Sequence, residues 1–112
     1  MTDNPITLQR ITAEEMCRRF NEGNYWERAI HGEFTMVILE DRHPSLTLAC
    51  EPFCTRSQMV SYRDHDDSEI VRVHQYLRKD NSIGASGKPD PKRLLDDGTL
   101  YRLVKKPKDN TP

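Results

Sequence analysis

A stretch of alternating residues, Ile70 to Arg78, carries the side chains best suited to binding chemistry in this sequence. A β-strand points successive side chains to opposite faces, so Val71, Val73 and Leu77 are expected to share one face. The other face would then carry two cations, an imidazole and a phenol, from Arg72, His74, Tyr76 and Arg78. Guanidinium groups contact phosphates, whereas Tyr and His rings stack on unpaired bases. The pattern therefore favours a strand face that binds a polyanion.

A loop rich in glycine, proline and lysine follows this strand. Three cations in or beside it are candidates for contacts to backbone phosphates: Lys88, Lys92 and Arg93. The G-x-x-x-x-G-K-[ST] spacing of a phosphate-binding P-loop is absent, and Pro89 and Pro91 prevent the helix that such a loop requires. We therefore expect either a stiffened structural turn or phosphate contacts that do not read sequence.

The alternating face also has a plain structural interpretation. Any solvated strand face carries polar side chains, and Tyr is favoured there for cross-strand packing with Arg lying over it. The charge distribution bears on both interpretations. Residues 1–69 hold seven Arg against 13 Asp or Glu, whereas residues 70–108 hold ten Lys or Arg against four Asp. This division is typical of a polyanion-binding face opposite an acidic one, and equally of two halves that attract each other.

Catalysis has a weaker basis than binding in this sequence. Metal-independent RNA cleavage needs an acid or base and a cation to stabilise charge, roles that His74, Arg72 and Arg78 could fill. The order of helices before a basic sheet resembles the layout of the RelE-like ribosome-dependent ribonuclease toxins, and no residue role is carried over from them. Ser57, Ser61 and Ser86 lack a nucleophile elbow or a local base. A metal-independent endoribonuclease is therefore the alternative function.

The cysteines indicate neither a complete metal site nor a disulfide framework. Cys50 and Cys54 have a spacing compatible with zinc, but there is no second close pair of Cys or His, although single residues could add ligands: Cys17, His43 and His65. We expect no metal and no cofactor. Three cysteines without a signal sequence indicate reduced thiols and a cytoplasmic location, and the longest apolar run, Met36 to Leu39, is too short to span a membrane.

Two helices are predicted before the sheet. Thr12, Ala13, Glu14 and Glu15 form a capping-box pattern, which predicts a helix over about 13–22 that ends at a left-handed Gly23. A second, short helix is predicted between an Asn24 cap and Gly32, with Trp26 as its anchor in the core.

Several strands are predicted after the helices. The apolar run over 33–41 predicts a strand buried on both faces near the middle of the sheet. Further strands are expected over 46–50, 58–63 and 70–79, with an antiparallel return at 82–84 and an irregular segment over 85–92. Asp97-Gly98 is a strong hairpin signal that sets Leu95 opposite Leu100 and Leu94 opposite Tyr101.

These elements predict an α+β domain over residues 1–104, with two N-terminal helices packed on one face of an antiparallel sheet of about five or six strands. Residues 1–10 are expected to lie loosely against it, and residues 105–112 to form a disordered basic tail. The predicted function is a non-enzymatic module for RNA or single-stranded nucleic acid. A third possibility is a protein-interaction adaptor whose acidic helical half docks on a basic partner through Glu14, Glu22 and Glu27.

Overall fold

The computed structural model describes residues 6–43, 54–84 and 87–105, which form two helices and a six-stranded sheet. The elements in chain order are β1 (Thr7–Ile11), α1 (Ala13–Glu22), α2 (Tyr25–Ile30), β2 (Thr35–Arg42), β3 (Arg56–Arg63), β4 (Glu69–Leu77), β5 (Asp90–Asp96) and β6 (Thr99–Leu103). The strand order is β1-β6-β5-β4-β3-β2, with β1 parallel to β6 and all other neighbours antiparallel. The predicted α+β fold is confirmed, and the sheet, predicted antiparallel, is mostly so because β1 alone among the described strands pairs in parallel.

The core combines alternate residues of the central strands with apolar residues of the helices. Tyr62, Val71 and Val73 are fully buried, and Met16 and Phe20 of α1 belong to the same cluster. Burying each such side chain stabilises the fold by about 1.5–3 kcal/mol. The alternation predicted for β4 is confirmed over residues 71–74, where Arg72 and His74 remain partly exposed, but Leu77, predicted on the buried face, is also only partly buried.

The ends of α1 agree only in part with the prediction. The Thr12 hydroxyl accepts a hydrogen bond from the Glu15 amide at 3.1 Å, as the capping box predicted. The prediction that Gly23 takes the left-handed conformation was wrong, since its φ is −82°. A Cβ at Gly23 would lie 2.3 Å from the Tyr25 ring, so close approach of that ring requires glycine there.

The second helix begins differently from the prediction. Asn24 takes the left-handed conformation, with φ 54°, and its side chain makes no capping hydrogen bond. Tyr25, 6% exposed, fills the core position predicted for Trp26, which is only partly buried against the cluster.

The hairpin between β5 and β6 has the predicted register. Asp97 and Gly98 both have positive φ, at 48° and 76°, as a type I′ turn requires. Leu95 is opposite Leu100, and Leu94 is opposite Tyr101.

The position predicted for β2 was wrong. Its run of apolar residues was expected at the middle of the sheet, but β2 is an edge strand paired only with β3 among the described strands. Met36, Ile38 and Leu39 are 48%, 54% and 39% exposed. The reason is topological: β2 to β6 follow one another across the sheet in chain order and β1 pairs with β6, which leaves β2 at an edge among the strands described.

Two segments are more regular than expected. Residues 7–10, predicted to lie loosely, belong to β1 and pair with β6. Residues 90–92, predicted irregular, belong to β5, where Pro91 is tolerated beside a register shift at the start of the strand. The predicted strand at 46–50 and nearly all of the predicted tail, residues 106–112, lie outside the described residues.

Candidate functional site

The register of four neighbouring strands aligns four arginines across the sheet. Arg10 of β1 is opposite Arg102 of β6, which is opposite Arg93 of β5, and Arg93 is opposite Arg72 of β4. Directly opposite residues share a face of the sheet. Because neighbouring strands lie roughly 4.8 Å apart, this arginine row is about 14 Å long.

A shallow depression of about 340 Å³ contains the whole arginine row. Lys92 and Lys105 also line it, and Met59 and Leu103 supply apolar surface. Lys92 is the extra residue of β5 at a register shift between Arg72 and Val73 of β4. Six cations therefore line this arginine depression.

Two carboxylates pair with cations of the depression: Asp90 with Lys92 at 2.8 Å, and Glu69 with arginines of the row. Glu69 accepts hydrogen bonds from the buried Ser61 hydroxyl at 2.6 Å and from Arg72 Nε at 3.1 Å. Arg93 Nε lies 4.0 Å from the other carboxylate oxygen. Like charges directly opposite each other destabilise a sheet, and a single carboxylate offsets only part of that repulsion. Glu69 therefore holds two arginines of the row in place without neutralising the row.

A second cavity, of about 460 Å³, contains three other predicted residues: His74, Tyr76 and Lys88. This His74 cleft lies where β4 extends past the first residue of β5, because the pairing of these strands ends at His74 and Asp90. Residues of α1, including Phe20 and Asn21, line another side of the cleft.

His74 is held by two neighbours. Its Nε2 lies 2.7 Å from the Ser57 hydroxyl, and its ring meets Tyr76 edge to face at 4.8 Å between centroids. Burial, and then the nearby Lys92, lower the pKa of His74 below its ordinary value, while Asp90 acts in the opposite direction. The imidazole is therefore neutral near pH 7. No local base for Ser57 was apparent from the sequence, and the fold brings the His74 imidazole within hydrogen-bond distance of it.

The predicted binding residues thus fall into two groups. Arg72, Lys92 and Arg93 line the arginine depression, and His74, Tyr76 and Lys88 line the cleft. Arg78 lies in the turn after β4 and borders neither cavity. Lys88 reaches Glu27 at 3.5 Å and lies over the Trp26 ring.

Sequence reasoning missed two arginines of the depression, Arg10 and Arg102, whereas Lys105 begins the tail that was predicted to contact the polyanion. Arg102 could have been found, because the Asp97-Gly98 hairpin register that pairs Leu94 with Tyr101 also pairs Arg93 with Arg102. Arg10 had no comparable signal, since its strand pairs in parallel with a strand far along the chain.

The cysteines and acids form no metal site in the part of the chain that the structure describes, where no three His, Cys, Asp or Glu residues converge. The zinc pairing of Cys50 with Cys54 is not described, because residue 50 lies outside these ranges. Cys17 donates to Asp90 at 3.8 Å, and burial followed by this carboxylate raises the pKa of its thiol.

No family model, curated protein or solved structure matches this chain. Function is therefore inferred from the chemistry of the two cavities. Neither helix of the described ranges has the length and apolar character that crossing a bilayer requires.

Proposed function

We propose that the chain is a small non-enzymatic module that binds a polyanion, RNA or single-stranded nucleic acid, through the arginine row. The observation that carries this proposal is the alignment of four arginines at one register on four adjacent strands. In this proposal both helices cover the opposite face, that of Val71 and Val73, and the arginine face meets the solvent. The side chains of Arg72 and Arg93 are each 36% exposed, which leaves guanidinium surface for a ligand.

Phosphate groups fit the chemistry of the row. A guanidinium presents its donors in a planar fork that matches a phosphate, and its charge persists at any physiological pH. A row of about 14 Å is long enough to contact more than one phosphate group of an extended polyanion. Such contacts position the backbone and carry no sequence information. We therefore expect binding that depends strongly on salt and weakly on sequence.

The row also has an energetic reason to bind anions. Its arginines repel one another in the free protein, and a polyanion removes this repulsion when it binds. Glu69 and Ser61 fix Arg72 before the ligand arrives, so less side-chain entropy is lost on binding. The free protein is thus arranged in advance for its ligand.

The test is a titration of a labelled single-stranded RNA of about 12 nucleotides between about 50 and about 200 mM salt. Log affinity should fall linearly with log salt concentration. Each of Arg10→Gln, Arg72→Gln, Arg93→Gln and Arg102→Gln should weaken binding and lower the slope by about 0.7 per lost phosphate contact.

Arg42→Gln is the matched control, because Arg42 is also a strand arginine and its side chain is 73% exposed on β2, away from the row. It should leave affinity and slope unchanged. Circular dichroism and urea unfolding check that each variant is folded. Absence of binding at the lowest salt, or equal effects of Arg42→Gln and the row variants, would refute the proposal.

The ribonuclease alternative is supported by the placement of His74 in the cleft, where burial lowers its pKa and so favours the neutral form that accepts a proton. Of its proposed charge stabilisers, Arg72 is engaged by Glu69 and Arg78 lies outside the cleft. Cleavage of RNA in excess chelator that disappears in His74→Asn would favour this alternative.

The adaptor alternative is weaker, because two of its acidic residues already have partners within the protein. Glu22 pairs with Arg18 at 2.9 Å, and Glu27 pairs with Lys88. Their charges are partly offset and less available to a basic partner.

A further inference from the structure

The His74 cleft differs in chemical character from the arginine depression. Its hydrogen-bonding groups include the neutral imidazole of His74 and the amides of Asn21 and Gln75. The charged Asp90 at its edge already pairs with Lys92 at 2.8 Å. Lys88, which also lines the cleft, pairs with Glu27 at 3.5 Å. Beside these paired charges, the cleft offers uncharged donors and acceptors.

Apolar surface completes the lining of the cleft. Phe20 from α1 and two prolines of the following segment, Pro89 and Pro91, lie around the polar groups. A volume of about 460 Å³ falls within the range of roughly 300–1,000 Å³ that is typical of small-molecule pockets. The cleft therefore suits a flat, uncharged group that both donates and accepts hydrogen bonds.

Neighbouring residues of β3, β4 and β5 connect the two cavities. Met59 of the depression is opposite His74 of the cleft in the register of β3 and β4. Lys92 of the depression forms its salt bridge with Asp90 of the cleft. A ligand that carries charge on one part and a neutral ring on the next could occupy both.

We propose that the His74 cleft receives one base of a single-stranded nucleic acid whose phosphates lie on the arginine row. This inference rests on the proposed function and adds the class of ligand. A nucleotide joins an anionic phosphate to a neutral planar base, the same contrast that the two cavities show. The amides of Asn21 and Gln75 each supply donors and an acceptor for a base edge. Gln58 accepts from Gln75 Nε2 at 2.9 Å, which orients that amide before binding.

A base within a duplex is stacked and paired, and moving it into a pocket costs a few kcal/mol. A single strand avoids most of this cost. Base binding in the cleft should therefore favour single strands over duplexes. The arginine row alone would not distinguish them.

The experiment compares three probes of about 12 nucleotides: a single-stranded RNA, the same sequence as a duplex, and an abasic strand that presents phosphates without bases. The variant Asn21→Trp fills the cleft from an exposed position on α1. Since stacking of one base contributes about 1–3 kcal/mol, it should weaken single-strand binding roughly 5- to 150-fold. Its affinity for the abasic strand and its salt slope should not change.

Ala13→Trp is the matched control, since it places the same side chain at an exposed position on α1 outside the cleft. It should leave all three affinities unchanged. If Asn21→Trp fails to fold, the side-chain amide resonances of Asn21 in the unmodified protein provide a second measurement. They should shift with single-stranded RNA and remain in place with the abasic strand.

The two proposals fail in different ways. Arginine-dependent binding that is equal for all three probes, or is unaffected by Asn21→Trp, would overturn the base-binding inference and leave polyanion binding intact. Absence of binding to every probe at about 50 mM salt would overturn the proposed function, and the inference with it.

Discussion

Glu69 is the residue that most directly controls the arginine row, because its carboxylate lies between Arg72 and Arg93. Its side chain is 19% exposed, and the hydroxyl of Ser61 also donates to it. Removing the charge leaves two opposed guanidinium groups with less compensation. The residue thus stabilises the fold while limiting how much positive charge a ligand meets.

Glu69→Gln should lower the free energy of unfolding by about 1–2 kcal/mol at low salt, since it weakens charge-assisted hydrogen bonds in a partly buried network. Urea unfolding measures this loss. Added inorganic polyphosphate should restore more stability to the variant than to the unmodified protein, because the anion replaces the missing carboxylate.

Glu40→Gln is the control for this prediction. Glu40 also pairs with an arginine, Arg42, at 3.5 Å, but its side chain is 53% exposed. Exposed pairs of this kind contribute little, so the change should stay within about 0.5 kcal/mol. Equal losses in the two variants would show that Glu69 has no special role.

His74 should make stability depend on pH. Its pKa is lowered in the folded protein, first by burial and then by Lys92. The unfolded chain therefore binds more protons between the lowered pKa and the ordinary value near 6.5. This contribution to stability is complete above about pH 6.5 and is lost as the pH falls towards the folded pKa.

The free energy of unfolding should consequently fall more steeply between about pH 7.5 and about pH 5 in the unmodified protein than in His74→Asn. Urea titrations at several pH values measure the difference. His65→Asn serves as the control, because the side chain of His65 is 92% exposed and its removal should leave the slope unchanged. Parallel curves for the unmodified protein and His74→Asn would contradict the prediction.

At the scale of elements, local signals predicted more than distant ones. The Asp97-Gly98 turn was enough to predict the register of β5 and β6, because two residues with positive φ fix how a hairpin pairs. Periodicity likewise predicted α1 and the buried face of β4. The partner of β1 could not be predicted, since Thr7 pairs in parallel with Thr99 and no turn connects them. Only the part of the candidate site on β4 and β5 could therefore be predicted from the sequence.

The edge position of β2 could not be predicted from the sequence either. A continuous apolar run indicates a strand, but it does not say how many neighbours the strand has. Ile38 is opposite Val60 in the register of β2 and β3, yet Ile38 is 54% exposed and Val60 only 2%. Burial here is decided by the position of each strand in the sheet.

Ile38→Lys should therefore change the free energy of unfolding by no more than about 0.5 kcal/mol, as exposed substitutions usually do. The charge should also reduce edge-to-edge association, which light scattering detects.

Val60→Lys makes the same change at the opposed, buried position. It should cost more than about 3 kcal/mol, because it buries an unpaired charge. If Ile38→Lys also lowered the free energy of unfolding by more than about 3 kcal/mol, Ile38 would have to be buried, which would contradict the prediction.

At the scale of the whole molecule, the fold brings residues of the acidic first part of the chain next to residues of the basic second part. Arg10 belongs to the acidic first part of the chain, yet it joins three arginines of the basic part in one row. Glu27 of the acidic part pairs with Lys88 of the basic part. The attraction between the two parts of the chain is thus seen in this pair, and polyanion binding by the row stays a prediction.

Docking of β1 should control the strength of polyanion binding. The Thr7 amide donates to Gly98 at 3.0 Å, and strand residues alternate in the edge their amides face, so the Gln9 amide also faces β6. Gln9→Pro removes that donor and should displace β1. Binding of single-stranded RNA should weaken about as much as in Arg10→Gln, with reduced hydrogen-exchange protection in β6.

Leu8→Pro is the matched control, because the Leu8 amide faces the outer edge of β1, where a proline is tolerated. It should retain most of the affinity and of the exchange protection. Equal losses for Leu8→Pro and Gln9→Pro would indicate that proline itself, rather than the broken ladder, displaces the strand.

The parallel pairing of β1 with β6 makes the surface a reporter of completed folding. Contacts between such distant parts of a chain form late, because a long loop must close first. Until they form, Arg10 is missing from the arginine row, so a molecule with β1 undocked should bind a nucleic acid more weakly. A polyanion should accordingly retain molecules with a docked β1 longer than molecules in which β1 is displaced.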